Sequence, residues 1–254
     1  MEVGRYPLYK TSEIAALASV HPNTVRVYEE WGYISPVPRL TNGYRVYSDV
    51  HLFQMKIARI LFQCEIVQGD IRNKAREIVT TSGKEQFPQA LHLTHEYLSH
   101  LKSEYQHALL AAEAVEKWLH EDVPTGDKTY SRTEAAHILG VTTEALRNWE
   151  RNGLIVIPRL KNGHRIYGEK ELSRLQIIRG LRSAHYSLQA ILRLLRKLDQ
   201  LPTDVITILN SPSNEEDVVT VTDRLIQSLL EAIQGAKSAI ALFYEYKHLY
   251  ERPH

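Results

Sequence analysis

The chain has 254 residues, 43% of them hydrophobic and 24% charged, with a formal net charge of +1 at pH 7. That length gives room for two modest domains with connecting helices, and no apolar run is long enough to span a membrane. One cysteine, Cys64, excludes an intrachain disulfide and any two-cysteine metal clamp; Met1–Leu8 lacks the apolar core of a signal peptide, so a cytoplasmic protein is expected.

The first patterned segment runs from Tyr9 to Tyr47. Thr11 or Ser12 opens a short helix whose apolar face is Ile14, Ala15, Leu17 and Ala18. His21 then stands at a cap position and Pro22 at the first position of a second helix, where a missing amide costs nothing. That helix carries Asn23, Thr24, Val25, Arg26 and Tyr28 and ends at Gly32. Two short helices around a tight turn make a helix-turn-helix. Asn42-Gly43 follows as a two-residue hairpin signal, because a type I′ turn needs positive φ at both central residues. Arg39 and Arg45 flank it, so the helix pair is expected to carry a basic hairpin, or wing.

Farther on, Leu91, Thr94, Leu98, Leu101, Tyr105, Ala108, Ala112, Val115 and Leu119 recur in the spacing of a coiled-coil seam. A helix from Leu91 to Leu119 would be about 43 Å long. The segment around Pro124-Thr125-Gly126-Asp127 reads as a linker. The pattern of the first segment then returns from Tyr130 to Tyr167, one residue shorter. Glu13 and Glu134, Arg26 and Arg147, Glu29 and Glu150, and Gly32 and Gly153 stand in register, as do Pro38-Arg39-Leu40 and Pro158-Arg159-Leu160. Here the local signals are stronger. Ser131 and Glu134 form a capping box, Gly140 ends the first helix in the left-handed conformation, and Thr142 caps the second, which carries Thr143, Leu146, Arg147, Trp149 and Glu150. Asn162-Gly163 is the second hairpin signal. Asp199–Asp217 reads as a connection, and Val219, Thr222, Ile226, Leu229, Ile233, Ala236, Ile240 and Phe243 as a second seam.

Charge is spread unevenly. The second copy and the stretch Gly168–Lys197 hold a larger positive excess than the first copy, which points to a phosphate backbone and a salt-dependent contribution from that half. Arg26, Arg147, Arg39, Arg45, Arg159, Lys161, His164 and Arg165 are the expected phosphate contacts, with Arg45 and Arg165 foremost. Tyr44, Tyr47 and Tyr167 offer a ring for packing and a hydroxyl for a phosphate oxygen. Asn23, Thr24, Thr142, Thr143 and Glu144 lie near the helix starts that approach base edges, although not all need face the groove. Tyr28 and Trp149 serve either as hairpin-packing residues or as base readers.

The runs Asn23-Thr24-Val25-Arg26-Val27-Tyr28-Glu29-Glu30-Trp31-Gly32 and Asn42-Gly43-Tyr44-Arg45-Val46-Tyr47 resemble the DNA-binding domain of the MerR family of bacterial transcription regulators. So do Glu144-Ala145-Leu146-Arg147-Asn148-Trp149-Glu150 and Asn162-Gly163-His164-Arg165-Ile166-Tyr167. In the second copy the likeness continues through Leu172, Leu175, Ile178 and Leu181 to Tyr186-Ser187-Leu188-Gln189-Ala190-Ile191, with Ser187 capping a second helical pair. Departures exist: Val27 and Asn148 stand where the family has the first of two aromatics, and Val67 stands in Ser187's place.

The resemblance implies a mainly α fold: two winged helix-turn-helix domains, each with a small β-hairpin wing, joined by long helices in an antiparallel coiled coil. The expected organisation is 1–86 and 130–200 for the two domains, 87–121 for the first long helix, 122–129 for a linker, 201–217 for a connection and 218–251 for the last helix. It implies a sequence-specific regulator of double-stranded DNA that bends or untwists a short, imperfectly palindromic promoter site, built as a single-chain pseudo-dimer; a homodimer is the competing assembly. RNA polymerase at the promoter and a small-molecule effector are the further partners it admits. Two rival functions share the fold: a DNA-bending architectural or recombination accessory protein, and a small-molecule-sequestering protein supported by Tyr97, Tyr105, Trp118, Phe243, Tyr244, Tyr246 and Tyr250. No enzyme, cofactor or metal site is expected. His92 and His95 are i,i+3 neighbours without a carboxylate or cysteine set to complete a metal site.

Overall fold

A computed structural model of the protein describes residues 8–63, 70–120, 128–161, 163–198, 205–210 and 225–250. Cys64, Val67, Asn162, Val219, Thr222 and the linker around Pro124 lie outside the described residues. The architecture is mainly helical, and the chain divides into two compact units, Met1–Ser103 with Ser228–His254 and Glu104–Gln227.

In the first unit, α1 (Thr11–Leu17) packs on α2 (Pro22–Glu30), and α3 (Asp49–Phe62) packs on α4 (Ile71–Gly83). The core around Ile14, Ala15, Ala18, Val25, Ile34, Tyr47 and Met55 lies between these pairs. The cap of α1 is Lys10, not Thr11 or Ser12. Lysine offers no acceptor, so only the returning half of a capping box forms, with the Lys10 amide donating to Glu13 Oε2 at 2.7 Å. His21 caps α2 as expected, its Nδ1 accepting from the Asn23 amide at 3.2 Å. Gln54 on α3 is fully buried and fully used. Its Oε1 accepts from the Ser35 amide at 2.8 Å, and its Nε2 donates to Ser35 Oγ at 2.7 Å and to the Ser82 carbonyl at 2.8 Å. One side chain thereby joins α3, the segment after α2 and the end of α4.

Two long helices complete this unit. From α5 (Phe87–His120) it takes the first part, where Ala90, Thr94, Tyr97 and Leu101 are buried; from α11 (Leu225–Tyr250) it takes Leu229, Ala232, Ile233, Ala236, Ala239 and Phe243. The expected seam residues Leu91, Leu98 and Ile240 are only half-buried. The apolar stripe of α11 is wider than a coiled-coil seam because it meets α3 as well as α5. Phe53 of α3 stacks on Tyr246 at 4.3 Å and meets Phe243 edge-on at 5.3 Å, while Phe87 of α5 lies 5.0 Å from Tyr246. These rings form a packed aromatic cluster, which removes Phe243 and Tyr246 from the residues offered for a ligand box.

In the second unit, α6 (Arg132–Leu139) packs on α7 (Thr143–Arg151) and on α8 (Glu169–Ser183), and α8 packs on α9 (Leu188–Leu198). Each local signal acts as read: Ser131 Oγ accepts from the Glu134 amide at 3.3 Å, Glu134 accepts from the Ser131 amide at 2.7 Å, Thr142 Oγ1 accepts from the Ala145 amide at 3.1 Å and Ser187 Oγ accepts from the Ala190 amide at 3.0 Å. The segment read as a connection contains a short helix, α10 (Val205–Asn210), packed on α9 through a buried face that includes Val205, Ile208 and Leu209. Pro202 and Pro212 dominated the sequence signal and hid it. The last part of α5 belongs to this unit, with Ala108, Ala112 and Val115 buried. Tyr186, fully buried between α8 and α9, donates its hydroxyl to the Ala108 carbonyl at 3.1 Å.

The turn inside each helix pair needs a left-handed residue, and the copies supply it differently. Gly140 takes φ 61° in the second copy, whereas Ser19 takes φ 51° in the first. A Cβ in that region costs on the order of 1 kcal/mol, and glycine avoids it. Ser19→Gly is expected to raise stability by about 0.5–1 kcal/mol, read as a higher thermal midpoint; an unchanged or lower midpoint means that the backbone at position 19 is not strained.

His51 starts α3 from inside the core. Its Nδ1 accepts from the Ser48 amide at 3.0 Å, in the place where Glu171 caps α8 by accepting from the Gly168 amide at 2.9 Å. Burial pushes the His51 imidazole below its ordinary value, against a weaker upward pull from the Pro36 carbonyl and from Glu85 and Glu29. The unfolded chain therefore binds this proton more readily than the folded one, so the stabilisation is complete above the unfolded value of about 6.5 and is lost as pH falls below it. Urea unfolding across that range should show stability falling with acid, and His51→Gln should flatten the slope while keeping a side chain able to reach back to the Ser48 amide.

Candidate nucleic-acid interface

Each copy is closed by one antiparallel bridge, Tyr9 with Tyr47 and Tyr130 with Tyr167, and the loop after the second helix by another, Arg39 with Arg45 and Arg159 with Arg165. Among the described residues, strand pairing goes no further than these isolated bridges. The loop tips also differ from the two-residue turn expected. The Gly43 amide donates to the Leu40 carbonyl at 2.8 Å and the Leu40 amide to the Tyr44 carbonyl at 2.8 Å; Gly43 has φ 82°, while Asn42 is not among the positive-φ residues. This is a three-residue loop ending in a left-handed glycine. Asn42 instead turns its side chain onward, Oδ1 accepting from the Tyr44 amide at 3.2 Å. Gly163, φ 83°, repeats the pattern with Leu160 and His164.

The side chains sort into exposed and buried sets. Asn23, Arg26, Arg39 and Tyr44 are exposed in the first copy, with Thr24 half-buried; Thr142, Arg147, Arg159, Lys161 and His164 are exposed in the second, with Thr143 half-buried. Tyr44 is the most open aromatic among the described residues, at 72%. Tyr47, Tyr167 and Trp149 are buried, and Tyr28 is half-buried with its ring 5.5 Å from that of Tyr33. The hydroxyls of Tyr47 and Tyr167 are thus turned into the protein, where no phosphate oxygen reaches them. These aromatics pack inside their domains.

Arg45 and Arg165 are both half-exposed and both committed. Arg45 Nε donates to Glu29 at 2.6 Å, and Arg165 Nε donates to Glu150 at 2.7 Å; each acceptor lies on the second helix of its own copy and is 19% exposed. The pair ties the loop to the helix in both copies, so these arginines are struts before they are anything else. Glu29 and Glu150 were the residues that sequence reading passed over as part of the site. The signal was available: opposite charges repeated in register, on two elements that must meet. Arg59 was missed as well; its Nη1 donates to the Ala18 carbonyl at 2.9 Å and satisfies the end of α1.

Arg132 joins the strut in the second copy, with Nη2 3.7 Å from Glu150 and Nε donating to the Tyr167 hydroxyl at 3.3 Å. Thr11 stands there in the first copy and is too short to repeat the bond. The Tyr47 hydroxyl accordingly has no hydrogen-bond partner among the described residues, with the His51 ring 5.8 Å away.

Comparison with known proteins bears on both copies. Residues 10–47 match the MerR family regulatory protein family, and residues 130–198 match the MerR HTH family regulatory protein family. The chain carries two MerR-family domains. A probable heavy metal-dependent transcriptional regulator of Haemophilus influenzae is 41% identical over 68 residues, which cover 26% of this chain and 53% of that protein. The chain therefore spans about half the length of that curated relative. No solved structure matches. In these MerR-family domains, no group of three or more His, Cys, Asp or Glu side chains is placed to hold a metal ion among the described residues.

The two buried tyrosines give a matched test of how the domains are built. Tyr167→Phe should cost about 0.5–1.5 kcal/mol by removing the Arg132 bond. Tyr47→Phe should be neutral or stabilising, because it deletes a buried hydroxyl without a partner. Chemical denaturation of the two variants compares them directly, and an equal loss in both would contradict the asymmetry.

Proposed function

We propose that the protein is a DNA-binding transcription regulator whose two MerR-family domains act as the two heads of a single-chain pseudo-dimer. The observation that carries this reading is an exchange of helices between the halves of the sequence. The compact unit holding the first domain includes most of the C-terminal helix α11, from Ser228 onward, and the unit holding the second includes the last part of α5. Each domain thus leans on a helix that follows the other, the relation expected of two subunits joined through antiparallel long helices. The coiled-coil reading of α5 and α11 belongs to this proposal.

On this reading α2 and α7 enter successive major grooves about 34 Å apart, and the loops closed by Arg39–Arg45 and Arg159–Arg165 act as wings on the flanking backbone. Arg39, Arg159, Lys161 and His164 are the exposed phosphate contacts; Arg45 and Arg165 hold the wings in place and present their remaining guanidinium N–H groups beside them. Arg26 and Arg147 lie on the exposed faces of the recognition helices, and Asn23, Thr24, Thr142 and Thr143 at their starts. Bending or untwisting the promoter site would add specificity at base pairs that the protein does not touch.

Two measurements test this reading. Light scattering should give a mass near the 29.2 kDa of one chain for the free protein, and that of one chain plus one duplex when it is bound to a site footprinted upstream of a regulated gene; a two-chain mass at low concentration overturns the pseudo-dimer. Arg159→Ala with Lys161→Ala should weaken binding to all sequences alike and lower the salt slope by roughly two. An unchanged slope overturns the assignment of the second wing.

A further inference from the structure

We propose that the two heads select different base pairs at one equivalent position of their half-sites: an adenine under Asn23, and a C·G pair under Glu144 with Arg147. The inference rests on the DNA-reading function proposed above and specifies what that site reads.

Asn23 and Glu144 occupy the same place, the second residue of α2 and of α7, directly after Pro22 and Thr143. Both are exposed, and the first turn of a recognition helix is the part that approaches base edges. Their chemistry differs in kind. An asparagine side chain presents one acceptor and a two-proton donor, which match the N6 amino group and N7 of adenine. An ionised glutamate only accepts, and its partner in the major groove is the N4 amino group of cytosine.

A bare carboxylate would be repelled on approach to the phosphates, but Glu144 is not bare. Arg147 Nη1 donates to its Oε2 at 3.1 Å, and Arg151 Nη2 donates to its Oε1 at 2.8 Å. The two arginines offset the charge and hold the carboxylate in place, while each oxygen keeps a second lone pair. Arg147 retains further N–H groups one helical turn along. A C·G pair shows the cytosine N4 donor beside the guanine O6 and N7 acceptors, so the Glu144–Arg147 couple faces a complementary donor–acceptor pattern in a single base pair. In the first head Arg26 stands where Arg147 stands, yet no carboxylate occupies the register of Glu144. The difference between the heads therefore lies in the Asn–Glu exchange and its charge couple.

The test uses the full chain and a random duplex library, with Glu144→Asn, Glu144→Gln and Asn23→Glu beside the wild type, and thermal unfolding as the control for folding. The wild type should enrich a site whose halves differ, with A·T at one position and C·G at its symmetry-related place. Glu144→Asn should replace C·G by A·T in that half alone, and competition with the original site should show discrimination falling by roughly ten- to a hundredfold. Asn23→Glu should alter only the other half. Unchanged preferences in folded variants overturn the inference and leave the DNA-binding reading intact, as does a gain in affinity that is equal for every sequence, which would reduce Glu144 to a source of repulsion. Failure of the wild type to enrich or protect any sequence removes both readings together.

Discussion

A half-buried carboxylate holds each head in shape. The loops that follow α2 and α7 have little of their own to fix them: one bridge at the neck, turn bonds at the tip and no strand ladder among the described residues. What sets their angle to the helix is the Arg45–Glu29 bond in one copy and the Arg165–Glu150 bond in the other. Such a charge-assisted hydrogen bond, shielded from water, is stronger and more directional than an exposed surface pair. Through it the loop and the second helix of each copy, which carry most of the expected contact residues, keep a fixed separation.

Around this shared device the heads are unequal. The second has complete local chemistry, with a serine–glutamate box, a glycine in the left-handed turn and an arginine that bonds both its tyrosine hydroxyl and its strut carboxylate. The first has a lysine at the cap, a serine in the turn and a tyrosine hydroxyl without a partner among the described residues. Tertiary packing offsets these local costs. Tyr28, Tyr33, Trp31 and Phe62 form a chain of edge-on and tilted rings, and Gln54 joins three segments through buried hydrogen bonds.

The long helices show how far periodicity carries. A repeat of threes and fours located α5 and α11 and named many of their buried residues, among them Thr94, Leu101, Ala108, Ala112, Leu229 and Ala236. It did not find Ala90, Tyr97, Ala232 or Ala239, which are buried beside the expected seam. Heptad spacing assumes one partner, and a helix such as α11, which meets both α3 and α5, buries a wider stripe. The short helix α10 escaped for a related reason: six residues give too little periodicity to outweigh the prolines on either side.

By itself the sequence determined the helix pairs, most of their caps, the repeat and the family resemblance, because capping boxes, left-handed glycines and apolar spacing act over a few residues. Tertiary structure decided which of the named residues face outward. Tyr47, Tyr167 and Trp149 look like contact residues in a motif but are buried, and Arg45 and Arg165 look like free cations but are held by Glu29 and Glu150. The direction of a side chain depends on elements far away in the chain, and a charge is free or paired according to what the fold places beside it. Local spacing carries neither kind of information.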